Sequence, residues 1–223
     1  MDDPRPLFRD LTLEAFVDRL ASAEPVPGGG SASAAAAALG AGLVSMVASH
    51  SVGRSRYAVH AELLGSWVDR GRALASRLLE LADEDAAAYA GFAAALKMPK
   101  ETEEDRAART QALHGAARKA AEAPLRCVEA CREVVEGAEA LAGRSNVNAA
   151  SDLTVAALLT EAAARGAAAN VLVNLPATGD EALAADLSVR VDDLLRDVER
   201  LALGAREVVR AGISRPPILR PGR

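Results

Sequence analysis

The chain is predicted to be all-α: a single-domain, multi-helix antiparallel bundle with long helices. Three observations predict this. Apolar residues recur in steps of three and four nearly everywhere, and no convincing run alternates with period two. Half of the 223 residues are apolar but only 3% are aromatic, so the core is aliphatic and alanine-rich. No internal repeat and no linker divides the chain. One domain is therefore expected over 1–223, with its core at about 7–212 and an irregular, proline-rich tail at 213–223.

The elements follow in order. Helix one is expected over 11–23, with Thr12 as N-cap and Leu13, Phe16, Val17 and Leu20 on one face. Helix two is expected over 31–51, entered through Pro25-Val-Pro-Gly-Gly-Gly30 and made almost wholly of Ala, Gly and Ser. Gly40, Gly42 and Ser45 keep its surface thin, so neighbours can pack closely. Helix three spans 58–96, with Leu74, Leu78, Leu81, Ala88, Phe92 and Leu96 in helical register. At 1.5 Å per residue it reaches about 58 Å, long enough to suggest a subunit contact or a break.

Pro99 ends that helix, and Thr102-Glu-Glu-Asp105 starts the next with an acidic first turn. An interior proline removes a hydrogen bond, so Pro124 divides the following pattern into helices over 103–122 and 124–142. Residues 143–152 read as a turn. Helix six covers 152–174, and Thr178-Gly-Asp-Glu181 fits a capping box for a last helix over 180–212. Its near-heptad seam, Leu183 to Val208, suggests a second subunit contact.

Composition narrows the function. A net charge of −5 argues against a nucleic-acid surface. Cys127 and Cys131 lie four apart on one helix and form no disulfide framework, and MDDPRPLFRD carries no apolar signal core. Both point to the cytoplasm. No charged residue lies between Glu24 and Arg54, a run long enough to span a bilayer. Its small residues and its two prolines make insertion weak, so a buried helix and no membrane are expected.

Asp85 is the first candidate for chemistry. It falls on the stripe set by Leu74, Leu78 and Leu81, where a carboxylate is costly unless partnered. Desolvation raises such a group's proton affinity and suits it to acid–base work. The competing reading is a buried structural carboxylate. Asp83, on the side that looks solvated, is the second catalytic candidate. Gly28, Gly29, Gly30 and Ser31 either cap a tightly packed helix or face a ligand. Asn170 and Asn174, four apart, either present paired donors and acceptors to a ligand edge or bond across helices. Asp152 suits a helix start on dipole grounds alone. Lys97 and Lys100 flank Pro99, and Arg54 and Arg56 follow helix two; each pair is either a solvated cationic patch or an anion contact.

No metal is expected. His50, His60 and His114 have no zinc spacing, and nothing near the two cysteines completes four ligands. Gly-Gly-Gly-Ser is no nucleotide loop, because no strand precedes it and the lysine of a P-loop is missing.

These blocks resemble the cyclodeaminase/cyclohydrolase family of tetrahydrofolate enzymes. That family includes methenyltetrahydrofolate cyclohydrolases and the C-terminal domain of formiminotransferase-cyclodeaminase. The Pro-x-Pro-Gly-Gly-Gly-Ser entry is similar to its glycine block. LADEDAAAY (81–89) is similar to its Asp-x-Asp segment, and LKMPKETEED (96–105) to its Lys-x-Pro-Lys loop. APLRCVEACREV (123–134) and the run from Asn148 to Leu175 also match, so the resemblance covers about 7–212. It departs at Gly53-Arg-Ser-Arg-Tyr57, where the family often has a lysine-rich run, and at His50, where an apolar residue is usual.

The resemblance implies an all-helical homodimer acting on the one-carbon group of reduced folate, with no tightly bound cofactor. It implies proton transfer by the Asp-x-Asp segment and a substrate-facing glycine loop. Arg54 and Arg56 would suit the folate glutamate tail. The expected activity is methenyltetrahydrofolate cyclohydrolase. Formimidoyltetrahydrofolate cyclodeaminase, or a non-catalytic helical binding protein, is the alternative. No formiminotransferase domain is expected on this chain.

Overall fold

A computed structural model describes residues 7–218. Six α-helices carry the fold: α1 (Leu13–Leu20), α2 (Gly29–Ser49), α3 (Ala61–Leu96), α4 (Glu103–Leu141), α5 (Ala150–Asn174) and α6 (Glu181–Ala211). Short 3₁₀ segments precede α1, α3, α5 and α6, and no strand occurs among the described residues. The all-α expectation is met. Residues 213–218 carry no helix, as the proline-rich tail predicts, while 219–223 and the leading MDDPRP lie outside the described residues.

Successive long helices run antiparallel. Gly71 of α3 meets Ala41 and Ser45 of α2 while Asp85 meets Gly30, so α3 returns along α2. Ala120 of α4 meets Asn174 of α5, and Glu161 of α5 meets Arg206 of α6. In consequence α4 and α6 are parallel, joined side by side by Arg118–Asp180, Arg190–Glu129 and Arg132–Asp197. These exposed pairs fix register more than they stabilise.

The core is assembled from small side chains around α2. Ala34, Ala37, Ala41, Val44, Val47 and Ala48 of α2 are fully buried, and α5 answers with Ala156, Ala157, Ala164 and Ala167. Alanine against alanine brings backbones near, which raises dispersion contact despite the modest apolar area of each residue. The single tryptophan, Trp67 on α3, is buried against Gly137 of α4 beside Val44 of α2. It fits only because Gly137 of α4 has no Cβ: one built there lies 2.6 Å from Trp67 Cζ3 and 2.9 Å from Val44 Cγ1.

Four expectations need correction. First, α4 is one helix through Pro124, not two. Proline cannot donate to the carbonyl of Ala120, and that carbonyl instead accepts the side-chain amide of Asn174 at 3.4 Å. Second, α1 is shorter than expected and its apolar face is not buried. Thr12 caps it through Ala15 N–H at 3.1 Å, but Leu13 is 73% exposed and Val17 also faces outward. Third, the cap of α6 is Asp180, which accepts Leu183 N–H at 3.0 Å; Thr178 instead closes the preceding 3₁₀ turn onto Leu175 O. Fourth, the α6 seam is largely spent within its own chain: Val191, Val198, Leu201 and Ala205 are buried against α4 and α5.

Cys127 and Cys131 are both free and buried, as small core residues should be. A hydrogen bond with Cys127, and then burial, hold the Cys131 thiol well above its usual range. Gly29–Ser49 and Val147–Thr178 are long and apolar enough to cross a membrane by length and composition; both pack within the bundle.

Gly137→Ala adds one methyl against a rigid indole. Overpacking of this kind costs about 1–3 kcal/mol, more than the gain of up to about 1 kcal/mol from replacing a helical glycine. A lower urea midpoint with an unchanged slope is expected; an equal or higher midpoint would show that Trp67 shifts freely.

Candidate active site

α2 starts without a side-chain cap, because its N-cap is Gly28. Its first N–H groups therefore need an outside acceptor. Asp85 of α3 supplies one. Its carboxylate accepts the backbone N–H of Ser31, and Ser31 Oγ lies 3.2 Å from Asp85 Oδ2. The same hydroxyl donates to Ala82 O at 3.0 Å, which ties it to α3 one turn earlier. Ser31 is fully buried and Asp85 half-buried. This closeness demands a glycine at 30: a Cβ there would lie 2.6 Å from Asp85 Cγ.

The pair is held at the wall of a cavity of about 270 Å³ between α2, α3, α4 and α5. Gly28, Gly29 and Gly30 form one wall, and Asp85, Tyr89 and Phe92 descend a second on successive turns of α3. Asn170 and Asn174 of α5 form the third. Asn170 Nδ2 donates to Gly166 O at 2.9 Å; Asn174 Nδ2 donates to Asn170 O at 2.8 Å and to Ala120 O.

Burial pushes the Asp85 carboxyl above its ordinary value of 3.8, against the opposing hydrogen bonds from Ser31. A carboxyl whose proton affinity is raised toward neutrality can both take and return a proton. Aromatic walls, a bare backbone and two fixed amides suit a flat, heteroatom-rich ligand. Among the described residues, no cluster of three or more His, Cys, Asp or Glu could hold a metal ion.

Comparison with known proteins agrees with this architecture. The family model described as formiminotransferase-cyclodeaminase matches residues 12–193. The chain belongs to that family. It is 36% identical over 203 residues to a methenyltetrahydrofolate cyclohydrolase of Methylorubrum extorquens, covering 91% of this chain and 98% of that one. It is 35% identical over 207 residues to the formimidoyltransferase-cyclodeaminase of Rattus norvegicus, covering 92% of this chain but 38% of that longer protein. The crystal structure of a formiminotetrahydrofolate cyclodeaminase from Thermotoga maritima superposes with a TM-score of 0.83 at 25% identity, covering 91% of this chain and 98% of that one.

Within this family member, the candidates named from sequence divide into groups. Gly28, Gly29, Gly30, Asp85, Asn170 and Asn174 share the cavity, with Ser31 directly behind it. Asp83 does not join them, which corrects its place as second catalytic candidate. Two residues from Asp85 on a helix is the opposite side, and the side chain is only 15% exposed rather than solvated. Asp83 Oδ1 accepts Phe8 N–H at 2.6 Å, and Arg9 Nε lies 3.7 Å from Oδ2, so it fastens the N-terminal segment to α3.

Arg54, Arg56 and Asp152 are also elsewhere. Arg54 and Arg56 follow the C-terminus of α2, and Asp152 sits in the first turn of the antiparallel α5. The 21 residues of α2 put these about 30 Å from the glycine entry. Lys97, the C-cap of α3, stands exposed about 18 Å beyond Asp85 along the axis, and Lys100 is exposed in the loop that follows. Sequence reasoning missed the Ala120 carbonyl as part of the cavity wall; its signal is the proline four residues later. Tyr89 was legible only as the aromatic ending the Asp-x-Asp block.

Asp85 binds its proton more tightly folded than unfolded. Its contribution to stability is therefore complete below about pH 3.8 and is lost as pH rises through the raised value. At neutral pH the buried carboxylate opposes folding. Asp85→Asn should hold or raise the melting temperature at pH 7 and lose that advantage near pH 3; a marked drop at pH 7 would contradict the desolvated carboxylate.

Proposed function

We propose that the chain is a methenyltetrahydrofolate cyclohydrolase, with Asp85 as its acid–base group. The observation that carries this reading is the half-buried Asp85 carboxyl, of raised proton affinity, at the edge of a glycine-walled cavity. Its support in the comparisons is the cyclohydrolase relative, matched over nearly the full length of both chains.

The substrate would be a cation in which one carbon bridges N5 and N10 of a reduced folate. Water adds to that carbon and gives up a proton to the Asp85 carboxylate. The N5–carbon bond then breaks as N5 takes that proton back from Asp85 and the new hydroxyl loses its own to solvent, which leaves the formyl group on N10. Asn170, Asn174 and the backbone around Gly29 would hold the ring edge, and Tyr89 and Phe92 its faces. Orientation and one well-placed carboxyl do the work.

A second reading uses the same cavity for formimidoyltetrahydrofolate cyclodeamination. The relation to the Thermotoga maritima and Rattus norvegicus proteins favours it. N10 would close on the formimidoyl carbon while Asp85 protonates the departing ammonia.

Supplying each folate to pure protein separates the two. Decay of the methenyl chromophore marks hydrolysis, and its appearance with ammonia marks cyclodeamination. Asp85→Asn should lower kcat about 10²–10⁴-fold with substrate still bound. Near wild-type turnover at saturation would refute the role of Asp85, and no activity on either folate would refute both readings.

We further propose that the enzyme works in the cytoplasm as a homodimer, engaging neither membrane nor nucleic acid. Leu13 of α1 and Leu39 of α2, which is 57% exposed, line an apolar groove together with Phe16 and Leu79. A second copy would cover this face. Leu39→Asp, exposed and so harmless to folding, should convert a dimer to a monomer in light scattering; an unchanged mass would place the contact elsewhere.

A further inference from the structure

A second cavity, of about 420 Å³, lies at the opposite end of α2 from Asp85. It is enclosed by the 3₁₀ segment Ser55–His60, the start of α5 and residues 212–215. Its charge is anomalous. The chain carries a net −5, yet Arg56 and Arg215 line this cavity and no Asp or Glu does.

The imbalance deepens behind the wall. Arg144 is only 6% exposed, and it donates to two carbonyls, Pro216 O at 2.7 Å and Ala140 O at 2.9 Å. Arg215 pairs with Glu139 at 2.7 Å. Two neighbouring guanidinium groups thus share one carboxylate, and burial, then the charge of Arg215, pushes the proton affinity of Arg144 down. A buried charge this weakly compensated is costly without a counterion.

Two further features border the cavity. His60 is 9% exposed and forms part of the wall, and its Nδ1 is buried with no hydrogen bond. α5 begins on Ala149, which has no side chain to cap it, and Ala150 and Ser151 of its first turn face the cavity. The start of a 25-residue helix carries partial positive charge, which favours an anion.

We propose that this cavity binds a multiply charged oxyanion, a phosphate or polycarboxylate small molecule, between Arg56, Arg215 and the first turn of α5. The inference stands apart from the chemistry at Asp85, and its test needs no activity. The chain has three histidines. Imidazole NMR therefore reads His60 directly, with exposed His50 and the distant His114 as internal controls.

Inorganic phosphate, citrate and glutamate are titrated separately, with calorimetry in parallel. His60 should shift selectively and saturate at millimolar concentration for at least one of them. Phosphate alone would indicate a phosphorylated ligand, and citrate or glutamate a carboxylate one. Arg56→Gln, at an exposed position, should leave the melting temperature unchanged and weaken binding about 10-fold, with partial recovery in Arg56→Lys. No His60 shift and no heat with any probe up to about 10 mM would overturn the proposal. Equal affinity in Arg56→Gln would do the same.

Discussion

The contact between Asp85 and the uncapped start of α2 is the constraint on which the rest depends. A helix beginning on glycine leaves its N–H groups bare, and a carboxylate on a neighbouring helix answers them. That exchange sets how near α2 and α3 approach, which in turn excludes any side chain at position 30. The same exchange leaves the carboxyl only half hydrated. Structural cap and chemical group are therefore one residue, and neither role can be adjusted without the other.

Much of this was legible in the sequence. Asp85 interrupts an aliphatic stripe, and periodicity alone placed it on a packed face. The glycine block announced a close approach, although not which residue would approach. What remained hidden came from tertiary partners. Pro124 breaks a helix by local rules, but Asn174, fifty residues later in the chain, replaces the missing donor. Asp83 looked solvated because the segment that covers it, Phe8–Asp10, lies far away in sequence.

The separation of Arg54, Arg56 and Asp152 from Asp85 has a similar origin. Blocks that match a family in order need not meet in one chain, because antiparallel helices send successive loops to opposite ends. The bundle thus has two chemically distinct poles. The cavity at one carries a single carboxyl in its lining, and the cavity at the other gathers guanidinium groups around a helix start with no side-chain cap. Periodicity identifies which face of a helix is buried, but not which end of the bundle a loop reaches.

The proline in α4 has one more effect. Freeing the Ala120 carbonyl gives the Asn174 amide a second acceptor beside Asn170 O, so both of its hydrogens are engaged. An asparagine in solution presents either end with equal ease. Here a flip would set oxygen against two oxygens, and the group is left to offer lone pairs alone. A break in one helix's ladder thereby fixes the polarity of a side chain on another: whatever meets Asn174 must come with hydrogen to give.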